Sequence, residues 1–179
     1  MKVQDLILLS RATGKSKKIK RTGWIREKIK NPESVADHIF RVTVLCMVLA
    51  KHFNLDQAKL TKMAIIHDLG ESITEDLVVE RGINVDVEVR EKKEKLEEKA
   101  INKILGVYDP EYTLLFHEMI KRDSPEAKFF WKIDKLEMAI QAKEYEKEQG
   151  LDGKEFYENA KMHIDEPLLL EFLDEILKG

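Results

Sequence analysis

The chain has 179 residues, 43% of them hydrophobic and 36% charged, which supplies one good core and a surface richer in charge than usual. Its 31 Lys and Arg nearly balance its 34 Asp and Glu, for a net charge of −3, so bulk electrostatics favour neither nucleic acid nor a membrane surface as partner. A single cysteine, Cys46, excludes an internal disulfide and a Cys-rich zinc site, and no apolar run is long enough to cross a bilayer.

Taken in chain order, apolar residues recur at helical spacing almost everywhere and strand alternation is nearly absent, which predicts an all-α, single-domain fold of residues 1–179. Residues 2–12 read as a first helix. The start, MKVQDLILLSRATG, carries an acid and no small-residue cleavage pattern, so no signal peptide and a cytoplasmic location are expected. Residues 13–23 read as a basic, Gly-containing connector. In NPESVADHIFRVTVLCMVLAKHF, Asn31 is the expected cap and Pro32 the first helical residue. Asp56 caps a helix expected to run through Leu69, with Gly70 as terminator. Residues 71–86 look polar and turn-like, and an amphipathic Lys/Glu-rich helix spans Val87 to Leu105. Asp109–Pro110 opens a helix to about Arg122, and Ser124–Pro125 a long one to Gln149. Residues 154–163 and 166–178 form two last helices, the second capped by Asp165, and their amphipathic pattern offers apolar surface for self-association.

Three of these helices carry polar groups on apolar faces. His38 shares a face with Val35, Val42 and Leu45; His67 follows Leu60 and Met63 at spacings of seven and four; Asp134 falls among Phe130, Ile133 and Met138. Each alone reads most simply as a satisfied core residue. Together with Asp68 they offer two imidazoles and two carboxylates, a donor set for a divalent metal with coordination positions to spare. Glu71 would lie one turn from His67 and Asp68 if the helix persists past Gly70. From there it could orient a water or move a proton. Residues 11–30 hold nine Lys or Arg against one acid, a segment able to attract a phosphate monoester. His52, His117 and His163 fit no such pattern.

The strings RTGWIREKIKNPESVADH, HDLGESITEDL and AKFFWKIDKLEMAIQAKEYE, in that order, resemble the HD-domain metal-dependent phosphohydrolases, and within them the 5′-deoxynucleotidase branch of the HD-domain-containing protein 2 group. The resemblance runs over residues 21–158. It implies an HD-type helical bundle that hydrolyses (deoxy)nucleoside 5′-monophosphates, with a nucleotide as small-molecule partner and a homodimer as assembly. It implies one divalent ion per chain (Co, Mn, Mg, Zn, Ni or Fe) on His38, His67, Asp68 and Asp134, and an acid/base role for Glu71. It implies a substrate pocket with Asp76 and with Trp24, the residue that disfavours a ribose 2′-OH. Bacterial members carry a phosphate-contacting arginine just before that tryptophan. Here Gly23 holds the position, and Arg21 or Arg26 would substitute. By itself Trp24 reads as a core aromatic, and Asp76 as a loop acid. Two alternatives stay beside this one: an HD phosphohydrolase acting on a triphosphate or an alarmone, and a non-catalytic metal-binding regulator.

Overall fold

Ser34, rather than Asn31, starts the helix that carries His38. In the computed structural model, which describes residues 2–74 and 87–179, the Ser34 hydroxyl accepts from Asp37 N at 3.2 Å and Ser34 N donates to Asp37 Oδ2 at 2.8 Å. That reciprocal pair is a capping box, and it satisfies two otherwise orphaned donors. Asn31 sits in the left-handed region at φ 51°, where no helix can begin, so it belongs to the preceding turn along with Pro32.

Ten α-helices follow one another among the described residues: α1 (Val3–Ser16), α2 (Thr22–Arg26), α3 (Val35–His52), α4 (Gln57–Ile66), α5 (Glu71–Thr74), α6 (Val87–Ile101), α7 (Glu111–Lys121), α8 (Pro125–Gln149), α9 (Lys154–His163) and α10 (Pro167–Lys178). The all-α expectation holds; the described residues contain no strand, only an isolated bridge between Lys20 and Ser34. Several boundaries differ from the sequence pattern. The first helix continues past Gly14 because Ala12 and Ser16 are buried and Ser16 Oγ closes the last turn on Thr13 O at 2.9 Å. The basic connector holds a helix of its own, α2, because Trp24 buries there. α6 ends in a π-helical turn, Asn102–Gly106, rather than running on as α-helix to Leu105. Asp165 is not a cap: Glu166 precedes α10, and Asp165 pairs with Lys132 instead. Asp56 caps α4 as expected, accepting from Lys59 N at 3.0 Å, and Ser124 caps α8.

The long α8 is the axis of the bundle, with α3, α4, α7, α9 and α10 packed around it. It buries Phe129, Phe130, Ile133, Leu136 and Ala139 in a core shared with Val42, Cys46, Leu60, Met63, Phe116 and Met119. α10 turns Leu169 and Leu173 into this core and leaves Leu168 and Phe172 exposed. A second, smaller cluster joins Trp24 and Ile29 to Ala142, Tyr145, Leu151 and Phe156. Val35 N donates to Ile19 O at 2.9 Å and Arg21 N to Glu33 O at 3.2 Å, so the connector is stitched alongside the start of α3.

The cap makes a testable statement. Ser34→Ala should cost about 1 kcal/mol of stability, the usual value of an N-cap side chain. Urea denaturation followed by circular dichroism measures it, with an unchanged m-value expected.

Candidate functional site

The site lies where α3, the turn after α4, and α8 meet. His38 comes from the inner face of α3 and is fully buried. α4 ends at Ile66, so His67 and Asp68 sit in the turn that follows. α8 delivers Asp134 and, one turn later on the same face, Glu137. His38 Nε2 is 3.2 Å from Asp134 Oδ1 and 3.8 Å from Asp68 Oδ2, and His67 Nε2 is 3.2 Å from Asp68 Oδ2. Donor atoms of His38, His67 and Asp134 all lie within 4.8 Å of one another.

The orientation of both rings is fixed from behind. His38 Nδ1 is 2.5 Å from Glu137 Oε2, and His67 Nδ1 is 2.7 Å from the carbonyl of Ala64. A carbonyl only accepts, so His67 Nδ1 carries a proton, and in the neutral ring Nε2 is the nitrogen left for a ligand. Both Nε2 atoms are buried without a hydrogen-bond partner, and both face the carboxylates. Two imidazole nitrogens held in this way beside a carboxylate form a donor set suited to a divalent ion. The residues present therefore fit the metal that the sequence implies.

Charge in this pocket is finely opposed. Burial and the Arg21 guanidinium pull the His38 pKa down, yet Glu137 and Asp134 outweigh them and raise it to about 9. Burial pushes the Asp134 and Asp68 carboxyls up, but neighbouring basic groups win at both. Lys135 and His38 hold Asp134 well below its ordinary value, and His67, Arg21 and His38 do the same for Asp68. A metal would take over the role of these protons.

Of Arg21 and Arg26, the structure brings Arg21 to the site. Its Nη1 is 2.8 Å from Asp68 Oδ2 and its Nε is 3.6 Å from Glu33 Oε1, whereas Arg26 stands exposed on α2. Trp24 is only 1% exposed; its indole Nε1 donates to Glu33 at 2.8 Å while its ring stacks on Phe156. In this arrangement the tryptophan offers almost no surface to a ligand and instead anchors the carboxylate that steers Arg21. Burial and the nearby Glu137 raise the Glu33 pKa to about 7.

Gly70 does not carry α4 onward. The helix stops, and Glu71 opens the separate helix α5, its N–H bonding to Asp68 O at 3.1 Å. Glu71 is buried next to the turn, with Lys93 of α6 3.5 Å away. Lys93 also lies 3.3 Å from Glu97, whose pKa burial raises to about 7. A Cβ on Gly70 would come within 3.2 Å of the Glu97 carbonyl, so α6 fits closely over the turn. Asp76 lies outside the described residues. His52, His117 and His163 stand apart from the site: His117 pairs with Glu98 and His163 with the carbonyl of Asn159.

The sequence pattern did not single out Glu137, Glu33 or Arg41. Glu137 carried a usable signal, since it repeats the anomaly of Asp134, a charge on an apolar helix face three residues on. Arg41 lies 3.6 Å from Glu137 Oε1 and is locked by Glu144 at 2.9 Å and Gln141 at 2.8 Å. No local pattern announces such a bridge between α3 and α8.

The HD-domain family model matches residues 13–171, and the chain belongs to that family. Human 5′-deoxynucleotidase HDDC2 is 30% identical over 179 residues, covering 97% of this chain and 85% of its own length. The Dictyostelium discoideum 5′-deoxynucleotidase HDDC2 is 34% identical, covering 87% of each chain. Among solved structures, a conserved hypothetical protein from Pyrococcus furiosus superposes with a TM-score of 0.77 at 36% identity, covering 97% of this chain and 99% of that one.

Removing the carboxylate behind His38 should weaken metal binding. Glu137→Ala is expected to lower divalent-ion affinity about 10- to 100-fold, the usual effect of losing a partner that orients a ligating histidine. Chelator competition on the purified protein measures this without any substrate, and the smaller loss expected for Glu137→Gln separates the lost hydrogen bond from the lost charge.

Proposed function

We propose that this chain is a divalent-metal-dependent phosphohydrolase that cleaves deoxynucleoside 5′-monophosphates to nucleoside and phosphate. The observation that carries the reading is the convergence of His38, His67, Asp68 and Asp134 beside a buried Glu71 and an arginine that reaches Asp68. The names of relatives that align over most of their length support the substrate class.

His38, His67, Asp68 and Asp134 would hold one ion, drawn from Co, Mn, Mg, Zn, Ni and Fe. When bound, it acidifies a water and draws charge from the phosphoryl group. Glu71 takes the proton of the attacking water and later returns one to the departing 5′-oxygen. Overall, the bond from phosphorus to the nucleoside oxygen breaks and a bond to the water oxygen replaces it. Arg21 is the cation closest to this chemistry. Because Asp68 already engages its Nη1, it neutralises a ligand carboxylate at rest and turns toward a phosphate dianion when one arrives. Trp24 supports Arg21 through Glu33, and Asp76 supplies a second acid to the substrate pocket. Residues 1–179 act as one HD domain, in the cytoplasm and as a homodimer. No helix of the described residues is long and apolar enough to cross a membrane.

A panel of dAMP, dGMP, dCMP, TMP, the ribonucleotides and dGTP, crossed with the divalent metals, tests the reading by released phosphate. Phosphate from deoxymonophosphates is expected; release of triphosphate from dGTP would move the protein to another HD activity. Glu71→Gln should keep the metal and lose about 10²- to 10⁴-fold in kcat. Asp134→Ala should lose metal and turnover together. Chelation by EDTA should abolish hydrolysis, with readdition of the metal restoring it, and turnover that survives complete removal would refute the scheme.

A further inference from the structure

α3 is apolar on both sides. Its inner face carries His38, Val42 and Cys46 into the core. Its outer face shows Phe40 (72% exposed), Val44 (38%), Met47 (43%) and Val48 (63%). Spacings of four, three and one place these four on a single stripe, opposite the residues that bury. Single exposed apolar side chains are ordinary, but a contiguous stripe on one helix marks a contact surface. At either end of the stripe the helix exposes one charge, Asp37 at the first turn and Lys51 at the last.

Five positions of this face are symmetric about Val44; Met47 falls outside the symmetry, because its mirror position is Arg41, whose guanidinium is held by Glu144 and Gln141. Asp37 and Lys51 each lie seven residues from it, and Phe40 and Val48 each lie four. At 1.5 Å per residue, Asp37 and Lys51 stand about 10 Å on either side of Val44 along the axis. Turning a second α3 end for end about an axis through Val44 therefore sets Phe40 against Val48 of the partner subunit, Val44 against the partner's Val44, and Asp37 against the partner's Lys51. The partner's Asp37 meets Lys51 in the same way. At these five positions apolar groups face apolar groups and the charges meet in opposite pairs. This self-complementarity is what a two-fold interface demands, since one patch must fit its own copy. A parallel pairing of the same helices would oppose like charges at both ends. A foreign partner would give no reason for the symmetry.

We infer that this outer face of α3 is the seam of the homodimer, two antiparallel α3 helices crossing at Val44. The inference deepens the homodimer reading of the proposed function and rests on it. It places the interface not on α10, which keeps only Leu168 and Phe172 exposed among its large apolar side chains, but on the back of the helix that carries His38. The Cβ of Val44 then comes nearest to its own symmetry mate, while Phe40 and Val48 each meet the other.

A cysteine at the crossing point tests this directly. Val44→Cys in the full chain, oxidised with diamide, should form a covalent dimer, because only a residue on the two-fold axis meets itself within disulfide reach. The wild-type chain, whose one cysteine Cys46 is buried, should not cross-link. Phe40→Cys and Val48→Cys should cross-link poorly alone and well when the two variants are mixed. Val48→Glu and Lys51→Glu, both surface changes, should raise the dimer dissociation constant at least tenfold by sedimentation, with helical content and melting temperature retained. Wild-type protein that is monomeric at high concentration overturns the dimer reading and the seam together. A wild-type dimer that neither cross-links at residue 44 nor weakens in these variants overturns the seam alone.

Discussion

Everything in this structure turns on one hydrogen bond, from His38 Nδ1 to Glu137 Oε2. It joins α3 to α8 at full burial, where an unpaired imidazole or carboxylate would be costly. It also decides which way the ring faces. With Nδ1 committed to Glu137, Nε2 can look only toward Asp134 and Asp68. The same bond fixes the rotation of both helices about their axes. Turning α3 by one residue would carry His38 away from α8 and bring either Asp37 or Ile39 inward, and the apolar rows beside it would leave the core together.

The bond creates an electrostatic problem that the neighbouring residues answer. Glu137, Asp134, Asp68 and Glu33 bring four carboxylates close to two histidines. Arg21 reaches Asp68 and Glu33, Arg41 reaches Glu137, and Lys135 reaches Asp134. Even so, the carboxylates press a proton onto His38 despite its burial. A site that holds a cation at a buried imidazole against desolvation has spare negative potential. A divalent ion uses that potential better than a proton does, since it can be shared by Nε2 of both histidines and by Asp134 at once. The architecture is hard to account for as a plain ion-pair core, which would bury fewer carboxylates or give each its own cation.

Much of this was legible beforehand. His38, His67 and Asp134 each break an apolar helical row, and a periodicity of 3.6 shows on which face a residue falls. Periodicity does not show which faces meet, so the convergence of three helices came from the resemblance of the longer strings and was then visible in the fold. The misreadings are local and physical. Asn31 has the chemistry of a cap but the dihedral of a turn, while Ser34 has both the chemistry and a partner, Asp37, three residues on. Gly70 proved less a terminator than a contact, since the helix had already ended at Ile66 and the glycine makes room for the Glu97 backbone. Trp24 by itself reads as a core aromatic, and the small cluster around Phe156 and Tyr145 does hold it inside, though that cluster assembles residues more than a hundred positions apart.

The burial of Trp24 changes how selectivity can be built here. A ring with no free surface cannot read a sugar directly, so any influence on the ribose must pass through what the ring holds. It holds Glu33, and Glu33 in turn faces Arg21, whose other contact is Asp68. Asp68, Glu33 and the position of α2 are thus linked through a single guanidinium. The second apolar cluster, which includes none of His38, His67 and Asp134, is the fixed support behind that arginine.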